Sequence, residues 1–295
     1  MLSKQIELFL KAAETGSFSK AARSLYMAPA SLIQQINLLE ARLGVKLFHR
    51  GPTGITLTEA GSHLHHEASE IAKLSKAAIS RTREIHKGET RVRIGTNLLF
   101  KCRELSDCCS KMVEQHPEVK VEIVAITQPS ERDWRPLAGM GTDYDLVEGL
   151  YLSKIHHNRC GFVKLREVPI LPAVPTNHRL SSKSTVTTAD LSGETVVLLQ
   201  HGMSEHFDEL SSELSSIPDI TIVEVPFYAV DVLVDCEVHG RILMSPENWQ
   251  DVHPNLHLKP FELDRRIPYG VMHAHNLCDS AKLLIEGVDE TAKQA

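Results

Sequence analysis

Apolar residues near the amino terminus recur at the spacing of an amphipathic helix. The first set stands at i, i+3, i+4 and i+7 and consists of Phe18, Ala21, Ala22 and Leu25. Ser17 precedes this set, and its side-chain oxygen can accept a backbone N–H that the first helical turn leaves unpaired. The pattern therefore predicts a short helix that Ser17 caps.

A second helix is predicted from Pro29 onward, because a proline suits the first turn, where its missing N–H costs nothing. Its buried face is expected to carry Leu32, Ile36, Leu39 and Leu43. At 3.6 residues per turn, the opposite face carries Ala30, Gln34, Asn37 and Leu38. This second helix thus joins an apolar face to an exposed face with amide side chains.

A third amphipathic helix is predicted upstream, with one face formed by Ile6, Phe9, Leu10 and Ala13. Helical periodicity leaves two interpretations open. One is an ordinary helical hairpin, and the other is a helix-turn-helix in which residues 29–42 lie in a DNA major groove. Glutamine and asparagine side chains suit the second interpretation, since each can pair with an adenine edge.

Two short β-prone runs, residues 46–50 and 55–57, flank the turn Gly51-Pro52-Thr53-Gly54 and predict a hairpin. Such a wing would lie along the phosphate backbone, and Arg50 is its best candidate for a phosphate contact. The alternative role for Arg50 is a surface salt bridge.

A long helix is predicted from residue 59 to about residue 86, with Thr58 as its cap. Apolar residues lie seven apart along it, at Leu64, Ile71, Ala78 and Ile85. A seam of that length favours pairing of this helix between subunits.

From residue 90 onward, predicted strands and helices alternate. The first pair is a strand at 92–95 and a helix at 98–115, and a short helix is predicted at 133–139. This alternation, with β-branched runs, is typical of parallel sheets covered by helices.

Charge is divided unevenly along the chain. Residues 1–90 carry 12 Lys and Arg against 8 acidic residues, a net of +4, and the remainder carries 20 against 30, a net of −10. A basic amino-terminal part fits a DNA-contacting module. No apolar run is long enough to span a bilayer, and the amino terminus lacks a signal-peptide pattern, so a cytoplasmic protein is expected.

The sequence contains little that indicates a metal site or an enzymatic activity. The six cysteines form no CxxC pair, and Cys102, Cys109 and Cys236 are expected in the core. Two groups could hold a metal, His273 and His275 with Cys278, and His156 and His157 with Cys160, but neither has a fourth ligand at diagnostic spacing. P-loop, nucleophile-elbow and dinucleotide-binding motifs are absent. We therefore predict no cofactor, no metal and no enzymatic activity.

The run from Phe9 to Gly61 resembles the winged helix-turn-helix of LysR-type transcriptional regulators. The matching pieces are Phe9, Ala12-Ala13-Glu14, Gly16-Ser17-Phe18, Ala21-Ala22, Leu25, Gln35-Ile36, Leu39-Glu40, Leu43-Gly44-Val45, Leu47-Phe48, Arg50 and Leu57-Thr58-Glu59-Ala60-Gly61.

This resemblance implies a multidomain fold of mixed α+β and α/β class. Residues 1–58 would form the winged helix-turn-helix and 59–89 a dimerising linker helix. Residues 90–295 would form a two-lobed effector domain like a periplasmic binding protein, with lobe I at 90–161 and 268–295 and lobe II at 162–267. The lobes would exchange near Gly161 and Pro268, and the protein would be a homodimer or homotetramer.

Two departures from the family pattern affect DNA contacts. A usual glutamine is replaced by Pro29 and a usual serine by Ile33, and Thr53 stands where the wing often carries an arginine. Specificity should then depend on the remaining side chains, with methyl contacts or DNA shape supplying the remainder. The predicted DNA-binding residues are Ala30, Ser31, Gln34, Gln35, Asn37, Arg50 and Thr53.

Polar loops that follow strands are the expected effector site. The loop Gly95-Thr96-Asn97 follows a strand and opens a helix, which favours a polar or anionic group, although Thr96 or Asn97 could simply cap that helix. The resemblance implies that further loops face the cleft between the lobes, although each could be a solvated turn. The predicted effector-binding residues are Thr96, Asn97, Leu98, Thr127, Gln128, Gln200, His201, Gly202, Met203 and Tyr228.

The sequence therefore predicts a transcriptional regulator that binds double-stranded DNA specifically and responds to a small-molecule effector. The alternative is a two-lobed small-molecule binding protein without a transcriptional role. The missing signal peptide and the DNA-like amino-terminal part argue against that alternative.

Overall fold

The structure, a computed structural model, describes residues 3–52, 54–86, 90–97, 99, 101–126, 137 and 139–294. Two units separate along the chain, Met1–His86 and Lys87–Ala295, and each is described by itself.

The first unit contains three short helices, a hairpin and a long helix. Its elements are α1 (Lys4–Thr15), α2 (Phe18–Ser24), α3 (Pro29–Leu43), β1 (Phe48–Gly51), β2 (Gly54–Leu57) and α4 (Glu59–His86). The strands β1 and β2 pair antiparallel, as the hairpin prediction required. Helix α4 has the bounds that the sequence predicts.

Side-chain caps explain where three of these helices begin. Ser3 Oγ accepts the N–H of Ile6 at 3.4 Å, and Ser17 Oγ accepts that of Lys20 at 3.5 Å, which confirms the predicted cap of α2. Thr58 Oγ1 accepts the N–H of Gly61 at 2.9 Å, which confirms the cap of α4. Ser, Thr and similar residues are favoured there because the first N–H groups of a helix have no partner within it.

The core of the first unit is aromatic and aliphatic. The rings of Phe9 and Phe18 lie 5.3 and 5.4 Å from the ring of Phe48. Helix α3 buries the side chains of Leu32, Ile36 and Leu39 completely. The prediction that Leu25 and Leu43 lie on the buried faces of these helices is wrong. Their side chains are 38% and 43% exposed. Both stand at the ends of their helices, where the chain turns away from the core.

The second unit is a mixed α/β structure. Its helices are α5 (Arg103–Gln115), α6 (Ser153–His156), α7 (Glu205–Leu214), α8 (Val230–His239) and α9 (Asp279–Gln294). Its strands are β3 (Thr90–Thr96), β4 (Val119–Ala125), β5 (Leu146–Leu150), β6 (Gly161–Pro175), β7 (Thr195–Leu199), β8 (Thr221–Val225), β9 (Ile242–Pro246), β10 (Leu256–Leu258) and β11 (Arg266–His273).

One nine-stranded sheet runs through the second unit in the order β4-β3-β5-β11-β6-β9-β7-β8, and β10 pairs with β6. The three strands at each end are parallel, as predicted. The prediction is wrong at the centre, where β11 and β6 run antiparallel to each other and to their outer neighbours. The strands β6 and β11 connect the two lobes. Their pairing partners cannot be read from the hydrophobic pattern of either strand alone.

Two hydrophobic clusters cover the two ends of this sheet. One packs α5 and α9 on β3 and includes Ile94, Leu105 and Leu284. The other packs α7 and α8 on β7 and β9 and includes Phe207 and Leu243. The second unit is therefore two-lobed, as the resemblance implies. The numerical boundaries proposed for domains and lobes stay predictions.

Several predicted bounds shift. The helix predicted at 98–115 begins at Arg103, because Cys102 adopts a left-handed conformation with φ 52°. Neither β10 nor α6 was predicted, since both are shorter than a periodic pattern. The helix predicted at 133–139 falls mostly outside the described residues. None of the helices in the described part of the chain has the length and apolarity needed to span a bilayer.

Candidate nucleic-acid interface and effector cleft

The outward face of α3 carries the predicted base-reading residues. Ala30, Ser31, Gln34 and Asn37 are exposed there, opposite the buried Leu32, Ile36 and Leu39. Ala28, the residue before α3, makes no side-chain hydrogen bond to the first turn, and Pro29 occupies that turn as predicted. The amphipathic pattern therefore places polar side chains where another molecule can approach them.

Gln35 lies on a different side of α3. Its Oε1 accepts a hydrogen bond from Gln5 Nε2 of α1 at 3.3 Å, and the side chain is partly buried. The two adjacent glutamines therefore differ: Gln34 is exposed, whereas Gln35 links two helices of the unit. Thr53 lies outside the described residues.

Glu40 anchors the wing to α3. This carboxylate is only 2% exposed, and its Oε1 accepts the N–H groups of Leu47 at 2.9 Å and Phe48 at 3.3 Å. Its Oε2 pairs with Lys46 at 3.0 Å and Arg50 at 3.3 Å. Burial raises the pKa of Glu40, but these hydrogen bonds and the Lys46 charge outweigh it, so its pKa lies below the ordinary value. The resemblance includes Glu40, but the sequence alone did not indicate this role.

Arg50 makes the salt bridge that the sequence allowed as its alternative role. Besides Glu40, its Nη2 donates to Asn37 Oδ1 at 2.6 Å, and its guanidinium lies 5.2 Å from the centre of the Phe18 ring. The side chain is still 39% exposed. Arg50 and Asn37, predicted as separate DNA contacts, are thus one connected pair.

The exposed side of α4 retains apolar residues. Ile71 and Leu74 are 52% and 55% exposed, and Ile79 is 38% exposed. A groove of about 700 Å³ runs between α1 and α4 within this unit, and Ile79 and Leu10 are among its lining residues. The described part of the first unit does not cover these positions.

In the second unit, Thr96 ends β3 and Asn97 follows it. Asn97 Oδ1 accepts the N–H of Leu99 at 2.8 Å, so its side chain closes a local turn. The carbonyl of Leu99 in turn accepts the indole N–H of Trp249 at 3.0 Å. The predicted residues Leu98, Thr127 and Gln128 lie outside the described part of the chain.

The loop after β7 holds Gln200, His201, Gly202 and Met203. Its amide groups are already bonded within the unit, because the N–H of His201 donates to Glu224 at 3.3 Å and that of Gly202 to Asp208 at 2.9 Å. Asp208 also pairs with Lys154 of α6. Burial raises the pKa of Asp208, but the bonds from Lys154 and Gly202 lower it below its ordinary value overall. The contact of Glu224 with His201 and that of Asp208 with Lys154 were missed because these partners lie 23 and 54 positions apart in sequence.

Tyr228 lies in the core of the second lobe. It is 7% exposed, and its hydroxyl donates to the carbonyl of Met244 at 2.8 Å. Its ring packs 5.4 Å from that of Trp249. Tyr228 therefore supports the loop region by packing, and its polar atom has a partner inside the protein.

Two carboxyl groups, the buried Glu148 and the partly exposed Glu104, lie at the amino-terminal end of α5. Glu148 of β5 is fully buried; it accepts the N–H of Leu105 at 2.8 Å and the hydroxyl of Tyr269 at 2.5 Å. Burial, together with the neighbouring Glu104, raises the pKa of Glu148 to about 7. Burial also raises the pKa of Glu104, but its bonds to Glu148 and to Arg166 lower it overall. No pattern in the sequence indicated that Glu104 and Glu148 would lie close together.

Two of the histidines weighed as metal ligands, His156 and His273, make hydrogen bonds within the protein. His156 accepts the N–H of Leu152 at 3.1 Å, and burial lowers its pKa to about 4. His273 bonds to the carbonyl of Ala274 at 2.9 Å. Within the described residues, no group of three or more His, Cys, Asp or Glu side chains is arranged to hold a metal ion.

Comparison with known proteins gives two family matches. Residues 3–62 match the family described as "Bacterial regulatory helix-turn-helix protein, lysR family". Residues 86–222 match the "LysR substrate binding domain".

Curated relatives match parts of the chain. The HTH-type transcriptional regulator TfdS of Cupriavidus pinatubonensis is 36% identical over 86 residues, which is 29% of this chain and 29% of TfdS. YnfL of Escherichia coli, described as an uncharacterized HTH-type transcriptional regulator, is 26% identical over 197 residues, 66% of this chain and 64% of YnfL. In both comparisons the chain spans less than two thirds of the relative's length.

Solved structures match over nearly the whole length. CbnR, described as a LysR family transcriptional regulator, gives a TM-score of 0.68 at 20% identity and covers 99% of both chains. Full-length CbnR complexed with its target DNA gives a TM-score of 0.66 at 20% identity, over 99% of this chain and 100% of that one. This likeness shows a shared fold. With both family matches added, we conclude that the chain belongs to the LysR family of bacterial regulators.

Proposed function

We propose that this protein is a transcriptional regulator that binds double-stranded DNA with sequence preference. The observation that carries the proposal is the exposed polar face of α3, with Ser31, Gln34 and Asn37 on a helix whose other face is locked into the core. A helix of this kind fits a major groove, where amide and hydroxyl groups can bond to base edges.

The wing would add contacts to the phosphate backbone. Arg50 is partly exposed and has N–H donors beyond those that bond to Asn37 and Glu40. The net charge of +4 over residues 1–90 supports an approach to a polyanion. We include Thr53 of the wing turn in this proposal on the sequence pattern alone.

Self-association is proposed through apolar surface that a single chain leaves exposed. Ile71 and Leu74 on α4 are more than half exposed. Helix α8 carries a second exposed stripe at intervals of four residues, formed by Val230, Val234 and Val238. Burying such surface between copies is favourable, which supports a homodimer or homotetramer.

The effector would bind near the loops that follow β3 and β7. Thr96 and Asn97 on one lobe, and the exposed Gln200 and His201 on the other, offer side chains of suitable polarity. We propose that a small molecule with higher affinity for one arrangement of the lobes shifts the DNA-bound assembly toward that arrangement. Tyr228 contributes packing to this region, and its hydroxyl is already bonded.

The same reasoning supports the absence of an enzymatic role and a cytoplasmic location. The chain's relatives are regulators, and the exposed chemistry of α3 suits binding and not bond breaking. A regulator of this kind acts where chromosomal DNA is.

Gel-shift assays of the intact protein with genomic fragments test the proposal, with a variant lacking residues 1–90 as the control. We expect salt-sensitive binding that prefers some fragments and that the deletion removes. Binding that is equal on all fragments, or that survives the deletion, would contradict the proposal. Small-molecule binding without any DNA binding would favour the alternative of a two-lobed binding protein.

A further inference from the structure

The orientation of the Asn37 side chain is set by Arg50. Arg50 Nη2 lies 2.6 Å from Asn37 Oδ1. A guanidinium can only donate hydrogen bonds, so the amide must turn its carbonyl oxygen toward Arg50 and its NH₂ group away from it. The amide oxygen and nitrogen of Asn37 have nearly the same shape, but only the oxygen can accept a bond from Arg50. The NH₂ group is therefore the one left for another molecule.

Arg50 is itself held from two further directions. Its Nη2 bonds to Glu40 Oε2 at 3.3 Å, and its guanidinium lies over the Phe18 ring at 5.2 Å. Glu40 is buried and is fixed by the N–H groups of Leu47 and Phe48. A donor restrained by a buried anion and an aromatic face is pre-organised, so its bond to Asn37 should persist on DNA.

This geometry changes what Asn37 can recognise. The two-bond pairing of asparagine with adenine needs both a donor and an acceptor of the amide aimed at the base, and here the bond from Arg50 takes one lone pair of Asn37 Oδ1 and holds that oxygen toward Arg50. Guanine presents two acceptors in the major groove, O6 and N7, whereas adenine presents its N6 amino donor beside N7. An amide that turns its NH₂ group toward the base therefore matches both acceptors of guanine, whereas on adenine it can meet only N7 and faces the N6 donor.

We propose that Arg50 is a positioning residue that turns the Asn37 NH₂ group toward the base, so that the base facing Asn37 is read as guanine and not adenine. The inference rests on the proposed DNA-binding function and specifies its base preference. Gln34 offers the internal contrast, because its exposed amide has no hydrogen-bond partner within the described part of the chain and keeps both donor and acceptor.

Selection of bound sequences from a random DNA pool by the full-length protein tests this assignment. The position read by Asn37 is the one at which Asn37→Ala loses its base preference. There, the wild-type protein should prefer guanine over adenine by about tenfold. In Arg50→Ala the freed oxygen permits the adenine pairing, so the preference should move toward adenine at that position alone.

Two further variants separate this role from a structural one. Arg50→Lys retains a hydrogen-bond donor for Asn37, so this variant should retain the preference for guanine. Asn37→Asp leaves Arg50 in place but turns an acceptor toward the base, so it should replace guanine by cytosine, whose N4 amino group donates. Arg42→Ala, at an exposed arginine in the last turn of α3, is the matched control and should leave the preferred base unchanged.

Several outcomes would overturn the inference alone. They are an adenine preference in the wild type, retention of guanine by Asn37→Asp, and loss of affinity in a folded Arg50→Ala without a change of base. An unchanged preference in Asn37→Ala would also overturn it. If the wild-type protein enriches no sequence at all, the proposed DNA-binding function fails together with the inference.

Discussion

Some residues of the DNA-binding unit stabilise its fold, and others are available to contact DNA. Glu40 is an example of the first kind and Gln34 of the second. Glu40 is buried and gives its oxygens to two backbone N–H groups and two cations. Gln34 is exposed and makes no such contact in the described residues. Glu40 should therefore determine stability, while Gln34 should determine which DNA is bound.

Replacing Glu40 by alanine should destabilise the first unit by about 3 kcal/mol, because buried N–H groups then lose their acceptor. Since the pKa of Glu40 is lowered in the folded state, its contribution is present above its ordinary pKa of 4.5 and is lost as the pH falls below it. Urea unfolding at several pH values measures both effects. The control is Glu14→Ala, an exposed carboxylate on α1; an equal loss there would contradict the prediction.

Replacing Gln34 by alanine should reduce base discrimination by about 1–3 kcal/mol if its amide makes a two-bond contact with a base. Its matched control is Gln35→Ala, the neighbouring glutamine that bonds to Gln5. Binding to selected and to random DNA should be measured for both variants. Equal losses of Gln34→Ala on the two kinds of DNA would assign Gln34 to backbone contact.

At the scale of elements, α4 stands out, because the described first unit leaves part of its apolar side uncovered. A single helix with exposed Ile71 and Leu74 is stabilised when another copy covers these side chains. Ile71 belongs to the set predicted at seven-residue spacing, and its exposure agrees with helix pairing, whereas Leu64 of that set packs against the core of the first unit.

The double variant Ile71→Ser and Leu74→Ser should therefore weaken self-association at least tenfold, since it removes apolar area from the shared surface. Sedimentation velocity over a concentration series measures the change. Lys73→Ser is the matched control on the same turn and should leave the association state unchanged. If the double variant sediments like the wild type, α4 is not the main contact between copies.

Helices were predicted best from the sequence, because their contacts are local and the 3.6-residue period is visible in the chain. The bounds of α4 and the caps of α2 and α4 agree with the pattern. The central antiparallel strands were missed, since β6 and β11 pair residues about one hundred positions apart. The Arg50–Asn37 bond was missed for a related reason: both residues were recognised, but the sequence does not give the distance between them.

At the scale of the whole molecule, the described structure of the second unit combines parallel lobes with a shared antiparallel centre. Glu148 lies beside that centre, where β5 pairs with β11. Its neighbours include Glu104 on α5 and Tyr269 on β11, and Arg166 on β6 pairs with Glu104. Because Glu104 is paired with Arg166 and Glu148 is buried beside it, a proton on Glu148 is favoured. That proton can be donated to Glu104 Oε2, which has no hydrogen-bond partner within the described residues.

Because the pKa of Glu148 is raised to about 7 from 4.5, its stabilising contribution is complete below pH 4.5 and is lost as the pH rises through 7. Glu148→Gln carries a permanent amide donor and should flatten the fall in melting temperature between about pH 5 and pH 8. Calorimetry of the full chain measures this difference. Glu114→Gln, an exposed residue on α5, is the control; identical profiles for wild type and Glu148→Gln would contradict the assignment.

The hydrogen bond between Trp249 and Leu99 has a practical consequence. The indole joins the segment after β3 to the lobe built on β7 and β9, and it lies at the edge of the proposed effector region. Indole fluorescence changes with hydrogen bonding and polarity, and the chain has only one other tryptophan, Trp134. In a Trp134→Phe background, the emission of Trp249 should therefore report movement of the lobes directly, and it offers a label-free screen for the natural effector.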